Sequence, residues 1–234
     1  MAGRITRKEL KTDKFALEVE QTVDYVAEHR RQLVQYGSIA VVVAAIALGA
    51  YFYMRHQRTE RAQLLAQAIT IQEAPVGASN AGALFTFPTE DAKRAAATKA
   101  FSEIATKYSG TSDAAIAKYY MGASAADQGK LADAEKLFKE AAEQGDKNYA
   151  SLARFSLAQV LFAEGRAADA EKILRDLMAH PTVFVSKDQA IVALARGIAP
   201  SRPDDARKLL EPLRTQNGVV SQVAITAVGE LQGQ

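Results

Sequence analysis

From Leu33 to Met54 the chain reads LVQYGSIAVVVAAIALGAYFYM without one charged residue. As a helix this stretch extends about 33 Å, against about 30 Å for the hydrocarbon core of a bilayer. Arg30 and Arg31 bound it on one side, Arg55 and Arg58 on the other. Tyr36, Tyr51, Phe52 and Tyr53 lie near its ends, where amphipathic rings favour the headgroup region. A soluble core helix of this length needs a polar face, and Val41 to Ala50 has none. A cleaved signal peptide carries a shorter apolar region nearer its start. The pattern therefore predicts an uncleaved transmembrane helix over 33–54.

Upstream, Phe15, Val19, Val23 and Val26 recur at helical spacing between charged residues, which predicts an amphipathic helix. Two readings stay open for it: a helix docked on a membrane surface or partner, and a solvated helix. Downstream of the span, helical spacing continues to about Ile71. The Pro-, Gly- and Ser-containing stretch Ala74 to Pro88 then breaks it. Helices follow at about 90–107, 113–128, 131–144, 148–163, 167–179, 187–198, 204–215 and 219–231, the last of them closing the open end of the array. Tyr108 to Asp113, YSGTSD, reads as a turn with Ser112 or Asp113 as the N-cap.

These helices repeat. Residues 129–137 read GKLADAEKL and residues 165–173 read GRAADAEKI, an offset of 36 that returns Gly, Ala, Asp, Ala, Glu and Lys in place. A further step of 36 brings Asp133 and Asp169 to Asp205, and Ala134 and Ala170 to Ala206. Ala97, Phe101 and Ile104 mirror the spacing of Ala134, Phe138 and Ala141 and form a degenerate first copy. In this pattern the chain resembles the tetratricopeptide repeat. The best copy supplies Met121, Gly122, Gly129, Ala134, Phe138 and Ala141; the next supplies Leu157, Ala158, Gly165, Ala170, Leu174 and Leu177. Small residues let paired helices approach, glycine permits the tight turn, and bulky positions fill the shared core. Two departures stand: the period is 36 rather than about 34, and Asp146 occupies the place of the proline that ends the second helix. The expected fold is all-α: an N-terminal transmembrane helix followed by a tetratricopeptide-repeat-like α-solenoid.

Composition supports helix-on-helix packing, being rich in Ala and Leu, poor in Gly and Pro, and free of Trp. The net charge of +2 is dispersed, without the basic stripe of a nucleic-acid binder. With no cysteine, disulfides, thiol catalysis and cysteine-bound zinc are excluded. The histidines, His29, His56 and His180, are far apart and lack acidic neighbours at metal spacing; His180, before Pro181, suits a helix end. No phosphate loop, dinucleotide fingerprint or nucleophile elbow occurs. Asp204 and Asp205 suit the first turn of a helix, where the dipole favours them. The chain is thus read as non-enzymatic, with no cofactor, no metal, no nucleic-acid partner and no small-molecule substrate.

Direction follows from the short N-terminal segment, which carries Arg4, Arg7, Lys8, Lys11 and Lys14. Positive charge in short segments marks the cytoplasmic side, while long domains cross largely regardless of charge. The expected organisation is a cytosolic segment 1–32, a span 33–54, and a repeat domain 55–234 on the far side. In repeat arrays the first helix of each pair lines one face. That rule selects Ile116, Tyr119, Asp127, Leu152, Phe155, Gln159, Phe162 and Ile191 as a mostly apolar protein-binding groove, the other reading being that these side chains pack as core. Slots that hold Lys and Asn in carboxylate-binding arrays hold Tyr119 and Ala123, so a clamp for a charged tail is not expected. An apolar groove suits an amphipathic helix or an unfolded segment.

The stretch EVEQTVDYVAEHRRQLVQYGSIAVVVAAIALGAYFYMRHQRTERA, with the repeats behind it, resembles the ancillary subunit family of the bacterial SecYEG translocon. The likeness is one of architecture over nearly the whole chain, and the Ala74–Pro88 insertion departs from it. The resemblance implies a single-pass inner-membrane protein with its N-terminus in the cytoplasm and its domain in the periplasm. Its implied partners are the SecYEG translocon, a membrane-anchored periplasmic chaperone and unfolded client chains. Fold does not fix function, so a scaffold subunit of another cell-envelope complex stands as the alternative.

Overall fold

The structure is a computed structural model that describes residues 30–77, 84–215 and 219–232. The amphipathic helix expected around Phe15 to Val26, the basic N-terminal residues and His29 lie outside the described residues. The chain forms two compact units, Met1–Arg58 and Thr59–Gln234. Helix α1, Arg30–Gln72, carries the boundary between them. Its apolar stretch has a mean hydropathy of 2.0 and none of it is buried, so α1 is long and apolar enough to cross a membrane.

The second unit is all-α. After α1 come α2 (Glu90–Lys107), α3 (Ser112–Asp127), α4 (Leu131–Gln144), α5 (Lys147–Ala163) and α6 (Ala167–Ala179). Then follow α7 (Lys187–Ile198), α8 (Pro203–Arg214) and α9 (Val219–Gln232). Among the described residues the sole β feature is a bridge between Val76 and Phe87. There the Gly77 N–H donates to the Phe87 carbonyl at 3.0 Å, and the Phe87 N–H to that of Pro75 at 3.3 Å. These bonds pin the two ends of the Ala74–Pro88 insertion together. Thr89 then caps α2, its hydroxyl accepting from the Ala92 N–H. At α3 the N-cap is Thr111, extended at φ −101° and ψ 158°, and not Ser112 or Asp113 as expected. Asp113 instead turns to Arg61, whose Nε lies 3.2 Å from its carboxylate.

The pairing logic is periodic. Gly129 and Gly165 take φ of 72° and 76°, conformations that favour glycine, and so reverse the chain between α3 and α4 and between α5 and α6. The next N–H in each case closes the turn onto the preceding helix, Lys130 onto Ala125 and Arg166 onto Leu161. Beyond each turn a small residue meets the partner helix: Ala134, Ala170 and Ala206 are all wholly buried. Phe138, Leu174 and Leu210, one turn on, fill the space those alanines open, and Ala141, Leu177 and Leu213 complete the three rows. Gly122 lies beneath the Phe138 ring, where a Cβ would come within 2.9 Å. At the start of the array Leu65 and Ala68 of α1 close the core with Ala97, Phe101, Ile104 and Ile116. At the other end Ala224, Ala227 and Val228 of α9 join the main core.

Two families of ion pairs share the same offset. Within pairs, the nearly buried Lys118 reaches Glu140 at 2.8 Å, and Arg154 reaches Asp176 at 2.6 Å. Between pairs, Glu135 binds Arg166 at 2.7 Å and Glu171 binds Arg202. Each of these two glutamates also meets a cation one turn on, Lys139 at 2.7 Å and Arg175 at 2.6 Å. The partners hold both carboxyls below the usual range: Lys139 most strongly and then Arg166 for Glu135, Arg202 and then Arg175 for Glu171. Arg154 does the same for Asp176. The longer connection between α6 and α7 is tied down by Thr182, which bonds the Ser151 hydroxyl at 2.6 Å, and by the buried Val185. His180 stands at the C-cap of α6, its N–H bonded to the Asp176 carbonyl.

Two outcomes test this packing on the full chain in detergent. Ala170→Leu overfills a closed crossing and costs about 1–3 kcal/mol; thermal melts show it as a lower midpoint, while the same change at the exposed Ala168 leaves the midpoint in place. Because the folded Glu171 carboxyl titrates lower than the unfolded one, its contribution is complete above the ordinary glutamate range and fades as pH falls through the folded value. Glu171→Gln therefore lowers the midpoint by about 1–3 °C at neutral pH, and the gap to the parent closes on acidification.

Candidate protein-binding groove

On α5, Phe155, Gln159 and Phe162 fall at i, i+4 and i+7, the spacing that places residues on one face of a helix. Opposite them α7 presents Asp188, Gln189, Val192, Ala193, Arg196 and Gly197, and α9 closes the third side with Val220 and Val223. The three helices enclose a groove of about 840 Å³. Its floor is apolar, from Phe155, Phe162, Val192 and the two valines of α9, and its edges are polar.

Local chemistry explains why each wall stands where it does. Ser186 and Gln189 form a reciprocal capping box that fixes the start of α7. Gly197 lets the Phe162 ring lie directly against the α7 backbone; a Cβ there would fall 2.2 Å from that ring. Arg196 reaches across to Glu230 at 3.1 and 3.3 Å and clasps α7 to α9. Asp188 sits in the first turn of α7, where the helix dipole favours a carboxylate. Among the described residues it has no ion-pair or hydrogen-bond partner, and neither does the Gln159 amide.

Of the eight residues expected to form the binding face, Phe155, Gln159 and Phe162 line this groove. Leu152, on the same helix, is half-buried against the main core. Asp127 is exposed at the last position of α3. Ile116 is buried in the core shared with α1 and α2, and Ile191 in the main core. Tyr119 belongs to a different feature, a row of aromatic rings. Phe101 stacks on Tyr120 at 4.9 Å, Tyr119 meets Tyr120 at 5.6 Å and Tyr149 at 6.3 Å, and Tyr149 meets Phe184 at 5.1 Å. Burial raises the Tyr120 and Tyr149 phenols, with neighbouring tyrosines and the carboxylates of Glu73 and Asp146 adding to it.

Sequence reasoning missed Val192, Arg196 and the α9 valines. The offset of 36 maps Phe155 onto Ile191 and Gln159 onto Ala195, yet neither lines the groove, whose α7 lining runs one residue further on, at Val192, itself a buried member of the main core, and the exposed Arg196. The connection His180–Ser186, much longer than the Gly145–Asp146 link before α5, is where the register slips. Its length against the two-residue link was the available signal.

Comparison with known families gives a match to the tetratricopeptide repeat-like domain over residues 28–189. The chain belongs to that family. The match takes in α1 through the start of α7. No curated protein and no solved structure matches the chain significantly. Tetratricopeptide-like arrays are typically non-catalytic modules for binding proteins, and protein partners follow from membership. Among the described residues no three His, Cys, Asp or Glu side chains cluster at metal-binding distance.

The contact between Gly197 and Phe162 gives a direct test. Gly197→Ala forces the ring outward and costs about 1–3 kcal/mol in chemical denaturation. In that background Phe162→Ala costs less than it does alone, a coupling that a double-mutant cycle reads. Strict additivity would mean that the two groups do not touch.

Proposed function

We propose that this chain is a membrane-anchored interaction module that serves the Sec translocon, helping to pass secreted chains to periplasmic chaperones. The observation that carries the reading is α1: one helix holds a charge-free stretch long enough to cross a bilayer and, further along, the Leu65 and Ala68 contacts that close the first repeat. A domain of this kind stays beside a membrane site, which suits a partner that is itself membrane-embedded. The architectural likeness to the ancillary subunit of the SecYEG translocon supplies the partner. The apolar groove suits an apolar segment of a protein partner. The basic N-terminal segment favours a cytoplasmic N-terminus and a periplasmic domain.

Two measurements test this. The chain has no cysteine, so single cysteines report on sidedness: in intact spheroplasts an impermeant maleimide labels Lys208→Cys and not Ala2→Cys. Affinity purification of the full chain in mild detergent, read by mass spectrometry, recovers translocon subunits together with a membrane-anchored chaperone. Recovery of a single unrelated envelope complex without translocon subunits overturns the export reading and leaves a scaffold on an anchor.

A further inference from the structure

The groove between α5, α7 and α9 has dimensions and charge that select among occupants. From Asp188 to Arg196 the α7 wall runs about 12 Å, and from Phe155 to Phe162 the α5 wall runs about 10 Å. Both lengths are two helical turns. An extended segment of that length turns only about two side chains toward one wall. A helix turns three, at i, i+4 and i+7, and the floor offers Phe155, Phe162 and Val223, none of them buried, to receive them.

Charge narrows the occupant further. Arg196 is already neutralised by Glu230, whereas Asp188, at the opposite end of the α7 wall, has no ionic partner among the described residues. The groove therefore carries one uncompensated negative charge at one end of an apolar floor. We infer that it binds an amphipathic helix of a partner protein, with a two-turn apolar stripe on the floor and a Lys or Arg set against Asp188. This deepens the interaction reading above by naming the partner's chemistry, and it rests on that reading only for the class of ligand.

The test uses the full chain in zwitterionic nanodiscs and two labelled helical peptides, followed by fluorescence anisotropy with empty nanodiscs subtracted. One peptide is leucine and lysine, with leucine recurring at three and four residues; the other replaces every lysine by glutamate. The Leu/Lys peptide binds about tenfold more tightly than the Leu/Glu peptide. Asp188→Asn removes most of that preference and Asp188→Lys reverses it. Val223→Gln, at a part-exposed position of the floor, weakens both peptides about fivefold without changing the melting temperature.

The inference is overturned if the preference survives both Asp188 variants, or if Val223→Gln leaves affinity unchanged. It is equally overturned if sedimentation shows a dimer that Val223→Gln dissociates, since the groove is then covered by a second copy. Peptide binding as described, with no translocon subunits in the purification, sinks the export assignment alone; translocon recovery without the charge preference sinks this inference alone.

Discussion

Everything in the repeat domain depends on the close crossing that alanine permits. Ala134, Ala170 and Ala206 have no exposed surface, and each lies where the second helix of a pair meets the first. A larger side chain at any of them would push the pair apart and strand the bulky residue one turn on. Close approach has a consequence for stability. An alanine buries little apolar area, so no single pair gathers enough to stand alone, and the core must be shared along the array. Sharing requires closed ends. Leu65 and Ala68 of α1 supply one closure, and Ala224, Ala227 and Val228 of α9 supply the other. The helix that carries the apolar span is thus also a structural member of the first repeat.

Ion pairs add register rather than bulk stability. Each pair between partly exposed side chains is worth about 1 kcal/mol or less. Their placement matters more. Lys118 with Glu140 and Arg154 with Asp176 join the helices of successive pairs, and Glu135 with Arg166 and Glu171 with Arg202 join one pair to the next. A slip of one residue along a helix would separate the partners that helix carries. The series stops where the repeat stops: at the position after Glu171 in the offset stands Arg207, which bonds Asp204 in its own helix. From there the clasp passes to Arg196 of α7 and Glu230 of the closing helix α9.

Helix positions were legible because the alternation of small and bulky residues reports the second helices directly. Turn glycines at 129 and 165 anchor the register on both sides. What sequence left open was decided by contacts across the fold. Thr111, Ser112 and Asp113 are all good cap residues, and the choice fell to Thr111 because Asp113 is drawn to Arg61. The aromatic row was invisible for a different reason. Tyr149 lies in the first turn of α5 and Phe184 in an irregular connection, so no period relates them to Tyr119 or Phe101. Of the residues that line the groove, Phe155, Gln159 and Phe162 of α5 were legible, since α5 follows a two-residue link that keeps the repeat in step.

The groove owes its existence to the failure of the repeat. The connection His180–Ser186 delays the start of α7, and the capping box at Ser186 then fixes the helix with Val192 and Arg196 on the groove side in place of Ile191 and Ala195. Gly197 draws the Phe162 ring onto the α7 backbone, which deepens the floor between the helices. The same cap that sets this register also settles the electrostatics. A carboxylate beside an apolar floor is costly without a partner, but Asp188 lies in the first turn of α7, where unpaired backbone N–H groups and the helix dipole stabilise it. No cationic side chain pairs with it among the described residues, so an incoming cation need displace no resident ion to reach it.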